Sequence, residues 1–533
     1  MPPSATTSAR ALTSGQIARA AAVVMVAFVI SGVLGLVRQA AISSTFGAGA
    51  TLDAFVAAQR VPETLFVLVA GGALGSAFIP VFTRFLAAGD TDGAQRLANG
   101  VISLLAVTAT TLIALAFLLA RPIVQRVLLP DASPATQALS VELMRIMLPT
   151  VLIFGVSGLM MAVLNAHQHF LAPALAPSLY NIGLIFGALV LARGGDIHGL
   201  AWGAVIGALL HLGIQLPIMW RLRFHFRPAI GLRVPGVREV LLLMGPRVLG
   251  LGVVQVNFWV NTALASGMME GSVAALSIAF TLMFTVIGVL GQSVGTAVFP
   301  TLSTLSAQHE AVEFRRTLSG ALSGVLFLSI PAGIGMAVLS RPLVAVLFER
   351  GEWTATDTAG TAWALALFSL GMAGHTVLEV LVRAFYALHD TWTPVKVGTA
   401  TMLLNIALSL VLIRVFGYPH STDFAHGPFG GLALAMSLAT AVECSALWLI
   451  LRQRIGALDE RRVLGGVART LLASGVMALA VWVWLAIWPQ TPVLWRATGG
   501  TTVGAGVFWA GAWLLGVEQA RSLPSALWRR VRR

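Results

Sequence analysis

Leu471–Trp488 reads LLASGVMALAVWVWLAIW, a run of eighteen residues without a charge. A helix of that length rises about 27 Å, close to the ~30 Å of hydrocarbon in a bilayer. The run does not alternate polar with apolar residues, as a membrane barrel strand would. In lipid every backbone N–H and C=O needs an internal partner, which leaves the helix. Val151–Leu164, VLIFGVSGLMMAVL, has the same character, and such runs recur along the chain. Of 533 residues, 57% are hydrophobic and only 10% charged, where a soluble domain carries about a quarter charged residues. Stretches of roughly 20 apolar residues number about fourteen, with short loops between them. The expected fold is all-α and integral to a membrane.

Charge orients the spans. The net charge is +13, and Lys396 is the only lysine among the bases. Basic clusters fall on alternate loops: Arg10 and Arg19, then Arg84 and Arg96, then Arg221, Arg223, Arg227, Arg233 and Arg238. The series continues with Arg315 and Arg316, Arg452 to Arg469, and the tail Arg529, Arg530, Arg532 and Arg533. The positive-inside rule places this side, and with it both termini, in the cytoplasm. The basic loops read as orientation signals and contacts for anionic lipid, not as a nucleic-acid surface. The polar N-terminal stretch lacks the order of a cleavable signal peptide, so the first span is expected to act as its own insertion signal. Cys444, a single cysteine inside an apolar run, excludes an intramolecular disulfide and reads as a small core residue.

Landmarks recur in order. Val33-Leu34-Gly35-Leu36 returns as Val248-Leu249-Gly250-Leu251, 215 residues on, and Gly75–Pro80 (GSAFIP) returns as Gly295–Pro300 (GTAVFP), 220 residues on. Asn181-Ile182-Gly183 matches Asn405-Ile406-Ala407 at 224, and Gly199-Leu200-Ala201 matches Gly431-Leu432-Ala433 at 232. Each copy holds about six spans, and an even number preserves orientation. Two parallel six-helix bundles plus two C-terminal helices follow, a transporter design with a central cavity between the bundles. The divisions expected are a cytoplasmic tail over 1–16, a first bundle over 17–220 and a basic linker over 221–236. A second bundle over 237–455, two further spans within 462–516 and a basic tail over 517–533 complete the chain.

Ser31–Leu65 (SGVLGLVRQAAISSTFGAGATLDAFVAAQRVPETL) and Leu164–Ile185 (LNAHQHFLAPALAPSLYNIGLI) resemble the MurJ/MviN lipid II flippases. GPRVLGL, NTALASGMMEGSVAAL and TAVFPTLS in the second copy are similar to the same family, as are Leu347–Thr358 (LFERGEWTATDT) and Val380–Gly398 (VLVRAFYALHDTWTPVKVG). The resemblance implies a fourteen-helix member of the multidrug/oligosaccharidyl-lipid/polysaccharide exporter superfamily. It implies alternating access that moves lipid II, or a related undecaprenyl-pyrophosphate-linked glycan, from the inner to the outer leaflet of the bacterial cytoplasmic membrane. Membrane lipids and cell-wall synthesis proteins are the partners it suggests. A carrier of another polyprenyl-linked glycan, or a scaffold homologue that transports nothing, are the alternatives.

Such a carrier breaks no bond, so no catalytic residue, metal or cofactor is expected; the chain has no Walker loop. The informative residues are polar groups within spans, which are costly unless paired or facing water. Arg38 matches a family cavity arginine and reads either as a pyrophosphate contact or as an interfacial, snorkelling side chain. Asp53 reads as its partner or gate, or as a cap after the Gly47-Ala48-Gly49 turn. Arg60 stands seven residues beyond Asp53 on the same face. Arg145 and Arg247 are further cavity candidates. Asn165, Asn181, Gln255, Asn257 and Asn261 either bond between helices or line the cavity. Glu379 and Arg383, four apart in the acid-first order, are expected to neutralise each other, with Arg383 standing where some relatives are thought to bind a cation. His211 and His375 are too isolated for a metal site. Where the family carries further charge this chain has Gly32, Phe66, Gly71 and Thr281, and Gln39 replaces a common aspartate. Arg60, Arg145 and Arg247 therefore substitute for the lost charge, or the substrate differs.

Overall fold

The structure is a computed structural model that describes residues 14–70, 73–229, 234–457 and 459–521. Among them every regular element is a helix. The basic tails lie largely outside the described residues, as does Gly71.

The first copy comprises α1 (Ser14–Phe46), α2 (Ala50–Ala70), α3 (Ala73–Ala87), α4 (Thr91–Leu118), a short α5 (Ala120–Ile123), α6 (Pro134–Met147), α7 (Thr150–Ala166), α8 (Leu171–Phe186), α9 (His198–Gly213) and α10 (Leu216–Arg221). The second comprises α11 (Val237–Ser266), α12 (Ser272–Ile287), α13 (Ser293–Ala307), α14 (Ala311–Val338), α15 (Ser340–Phe348), α16 (Ala355–Ser369), α17 (Met372–Ala387), α18 (Trp392–Val415) and α19 (Phe429–Ile455). Two more helices follow, α20 (Glu460–Ile487) and α21 (Val493–Leu514).

Helix starts follow local chemistry. Asp90 caps α4 by accepting from Gly93 N at 2.7 Å. Ser133 caps α6, with Pro134 in the first turn, and Thr354 with Asp357 forms a capping box at α16.

Element order carries the duplication. Helices α4 and α14 start 220 residues apart (91 and 311), and α8 and α18 start 221 apart (171 and 392). Helices α9 and α19 start 231 apart (198 and 429). The displacement that grows through the sequence therefore takes its largest step in one place, the longer α18–α19 connection. Both copies also break the same span, at Leu148-Pro149 between α6 and α7 and at Leu370-Gly371 between α16 and α17, the latter with a 46° bend.

Among the described residues ten helices are long and apolar enough to cross a membrane, or twelve when two bent pairs count as spans. Adding α2–α3 and α21 to those twelve brings the total to the fourteen expected. Large apolar side chains point outward on these helices, including Leu118 at 74%, Trp482 at 61% and Leu514 at 75% exposure, as lipid-facing surfaces do.

By packing, the chain divides into two compact units, Met1–Gly267 and Met268–Arg533. The sequence repeat assigns α11 to the second bundle, 237–455, whereas its contacts put it in the first unit, against α2 and α3. The reason is local: its polar residues bond to α2, and the Arg60 guanidinium of α2 lies over its Phe258 ring.

In the first unit α8 and α9 approach through glycines. A Cβ on Gly183 would lie 2.2 Å from Gly207 Cα, and one on Gly203 would lie 2.6 Å from Gly187 Cα. Only bare backbones fit there, the small-residue packing of membrane helices. In the second unit, α20 and α21 pack on α14 and α15 around Phe327, Met477, Val481 and Phe508.

Candidate functional site

In the first unit four helices bring polar groups together. Arg38 of α1 donates from Nη1 to Asn181 Oδ1 on α8 at 3.0 Å, and Asn181 Nδ2 donates to the Ser31 carbonyl at 3.1 Å. Asn181 thus ties α8 to two successive turns of α1 and holds the guanidinium within the span. Arg38 lies near Tyr180 and Glu63, both of which act on its charge. Its Nε is buried without a hydrogen-bond partner.

Arg60 of α2 stands 3.5 Å from Glu63 Oε2 one turn on, and its guanidinium lies over the Phe258 ring of α11 at 5.0 Å. Thr64 accepts from Trp259 Nε1 at 2.8 Å and lies 3.3 Å from Gln255 Oε1. Arg60 Nε and Asn257 Oδ1 are buried without hydrogen-bond partners. Asn261 is part-buried one turn beyond Asn257 on the same helix. Arg60 pairs with Glu63, whose charge also reaches Arg38, and the two guanidinium Nε–H groups are buried donors without acceptors, while Asn257 Oδ1 is a buried acceptor without a donor. Such a cluster suits an anion with many acceptor oxygens.

The other candidates fall elsewhere. Asp53 is 7% exposed in the first turn of α2, where its charge favours the helix N-terminus. Arg145 of α6 lies over the Phe117 ring at 4.7 Å, and Phe117 is itself exposed near the end of α4. Asn165 closes α7 through its main-chain carbonyl, which accepts from Gln168 N at 3.0 Å. Arg247 falls within α11, but its side chain lies outside the described residues. Phe66, at a position where charge was expected, joins an aromatic cluster with Phe154 at 5.5 Å; Phe154 meets Tyr180 at 5.0 Å and His211 at 5.2 Å. Packing replaces charge at that point. His211 bonds Ser157 Oγ at 2.7 Å, and Gln215 Nε2 donates to the same hydroxyl at 2.6 Å.

In the second unit Arg383 donates to Glu379, both on the side chain and on the main-chain carbonyl. Each side chain is 24% exposed. Gly295 provides the space: a Cβ there would stand 2.8 Å from Arg383 Nη1. The guanidinium thus neutralises the acid on its own helix face. Thr281, another position of expected charge, donates its hydroxyl to the Ser277 carbonyl at 2.8 Å.

Glu63, Tyr180 and Trp259 were not singled out in the sequence. Glu63 had a signal, an acid three residues after Arg60 inside an apolar span. Tyr180 and Trp259 had none, because each acts across helices distant in sequence.

A helical chain of two similar halves, with arginines held inside its spans by polar partners, defines the class: a multi-pass membrane transporter. The family model described as "Lipid II flippase MurJ" matches residues 42–496. A "Probable lipid II flippase MurJ" of Vibrio cholerae serotype O1 is 31% identical over 531 residues, covering 96% of this chain and 98% of that protein. One from Haemophilus influenzae is 31% identical over 474 residues, covering 85% and 90%. The solved structure "Lipid II flippase MurJ, inward closed conformation" shares the fold with a TM-score of 0.76 at 23% identity, covering 96% of this chain and 99% of that one. A multidrug resistance MATE family transporter in an inward-facing conformation shares it more distantly, with a TM-score of 0.64 at 14% identity over 81% of this chain and 96% of its own. The chain belongs to the lipid II flippase MurJ family.

Proposed function

We propose that this chain is a lipid II flippase of the bacterial inner membrane, carrying the lipid-linked peptidoglycan precursor from inner to outer leaflet by alternating access. The observation that carries this reading, beside family membership, is the cluster in the first unit. Arg60 pairs with Glu63, whose charge also reaches Arg38, and the Nε atoms of both arginines are buried without partners. A pyrophosphate supplies the acceptors these groups lack, and guanidinium forks match its oxygens.

Asn257 and Asn261 offer neutral contacts to the sugar or pentapeptide parts of the headgroup. Asp53, near the outward end of α2, serves the mouth of the path. Arg145, Asn165 and Arg247 stand as secondary contacts. The Glu379–Arg383 pair holds its part of the second unit without a bound metal ion. The alternate basic loops support cytoplasmic termini, and the repeat supports bundles over 17–220 and 237–455. No step requires catalysis, because the substrate leaves chemically unchanged.

Growth rescue of a flippase-depleted bacterium tests the reading. The chain should restore growth and its Arg38→Ala variant should not, at equal membrane abundance. Failure of the well-expressed chain would point to another polyprenyl-linked glycan or to a scaffold.

A further inference from the structure

Glu443 is a membrane-embedded acid with no part in the arrangement described so far. It sits near the middle of α19, about 18 Å along the axis from Ile455 and about 21 Å from Phe429. It is half-buried, with the Thr401 side chain of α18 beside it. Gly398 makes room for the carboxyl: a Cβ there would stand 3.2 Å from Glu443 Oε1.

The direction of the Thr401 contact is set by proton counting. A hydroxyl has one proton to donate. Thr401 Oγ1 lies 3.0 Å from the Val397 carbonyl and 3.2 Å from the Gly398 carbonyl, so that proton is directed to its own helix. Its lone pairs remain for Glu443, and a carboxyl can donate to them only when it carries a proton.

The surroundings offer no compensating cation. On α18, Lys396 is exposed in the first turn and Arg414 lies at the far end. On α17, His375 bonds Thr440 at 3.2 Å and Arg383 is committed to Glu379. Asp357 is used in the capping box of α16, α12 has no titratable residue, and α19 itself adds Cys444 nearby and Arg452 and Arg454 in its last turn. Among the described residues no base forms an ion pair with Glu443, and an unpaired carboxylate at this depth is strongly disfavoured against its neutral form.

We propose that Glu443 is a proton-binding site of the second unit, its carboxyl held neutral against the Thr401 hydroxyl between α18 and α19. Its ligand is a single proton, taken up by the carboxylate and released to water as the carboxylate re-forms. The site gives this unit a charge that changes by one, on which a membrane potential acts. The inference does not depend on the transported substrate.

The test uses the purified full chain in lipid nanodiscs and dicyclohexylcarbodiimide, which adds to protonated carboxyls in apolar surroundings to leave an N-acylurea. Peptide mass mapping at neutral pH should find the adduct on Glu443, none on the ion-paired Glu379, and loss of the Glu443 adduct in Glu443→Gln. Infrared spectra should show the carbonyl stretch of a protonated carboxyl in the unsubstituted chain and its loss in Glu443→Gln. If Glu443 escapes the reagent, the infrared band decides. A spectrum without that band, with Glu443 seen as carboxylate, overturns the proposal.

Discussion

Glu63→Gln keeps the shape of the side chain and removes only its charge. Glu63 Oε2 is 3.5 Å from Arg60 Nη1. Two unit charges at that distance interact by about 5 kcal/mol at an effective dielectric near 20, and by about 1 kcal/mol in water. Arg60 is 14% and Glu63 42% exposed, so solvent screens one end of the pair. The stability lost should then be about 1–2 kcal/mol, a small downward shift of the thermal midpoint.

The effect on an anion has the opposite sign. The three-residue cluster changes from one net positive charge to two, and an additional unscreened charge near a pyrophosphate is worth about 1–2 kcal/mol. Binding of undecaprenyl pyrophosphate should therefore tighten by about tenfold, while growth rescue weakens because the headgroup leaves more slowly. Native mass spectrometry of the purified variant with graded lipid, beside a thermal melt, reads both quantities. A variant with a lowered melting point and unchanged or weaker pyrophosphate binding would refute the reasoning and leave Glu63 a purely structural partner.

Further outcomes follow from other parts of the molecule. Gly203→Leu drives a side chain into the α8 backbone, since even a Cβ there meets Gly187 Cα at 2.6 Å; it should cost at least about 3 kcal/mol in thermal stability, whereas Gly506→Ala, in open space, should be neutral. Asp390 accepts from Trp392 N and Thr393 N and pairs with Arg454; burial works against its charge, but the bonds from Thr393 and Arg454 outweigh it and hold the pKa down at about 2. Its folded value lies below its unfolded one, so its contribution is full above the ordinary carboxylate range and disappears as pH falls through about 2. Because Arg454 is 45% exposed, the contribution is about 1 kcal/mol. Melts of Asp390→Asn should show less loss between neutral pH and pH ~2 than the unsubstituted chain. Arg145→Ala, which removes a guanidinium stacked on the exposed Phe117, should retain most growth rescue where Arg38→Ala loses it.

The spans and the duplication were legible because hydrocarbon imposes length and apolarity, and because the copies preserve order. Arg38 and Arg60 were legible for the same reason: a guanidinium inside an apolar run needs a cause. Glu63 gained its importance only in three dimensions, when α1 and α8 brought Arg38 toward an acid that sequence spacing links to Arg60 alone. Trp259 reads as one more membrane tryptophan until its indole N–H is seen to reach Thr64 across 195 positions. The repeat boundary before α11 is a matter of sequence similarity, and packing drew α11 to the first unit through Gln255, Phe258 and Trp259 on α2. The missing family charge at Phe66 was visible as a substitution, but the aromatic cluster that occupies the site was not, since Phe154, Tyr180 and His211 lie on three other helices.

The most direct test of the account measures which leaflet holds lipid II. In a flippase-depleted bacterium expressing this chain, an externally added enzyme that cleaves lipid II reports the outer-leaflet pool. The account predicts that the chain restores cleavage and that Arg38→Ala, at equal membrane abundance, does not. A chain that inserts stably yet leaves lipid II protected, or an Arg38→Ala variant that exposes it equally well, would contradict the account.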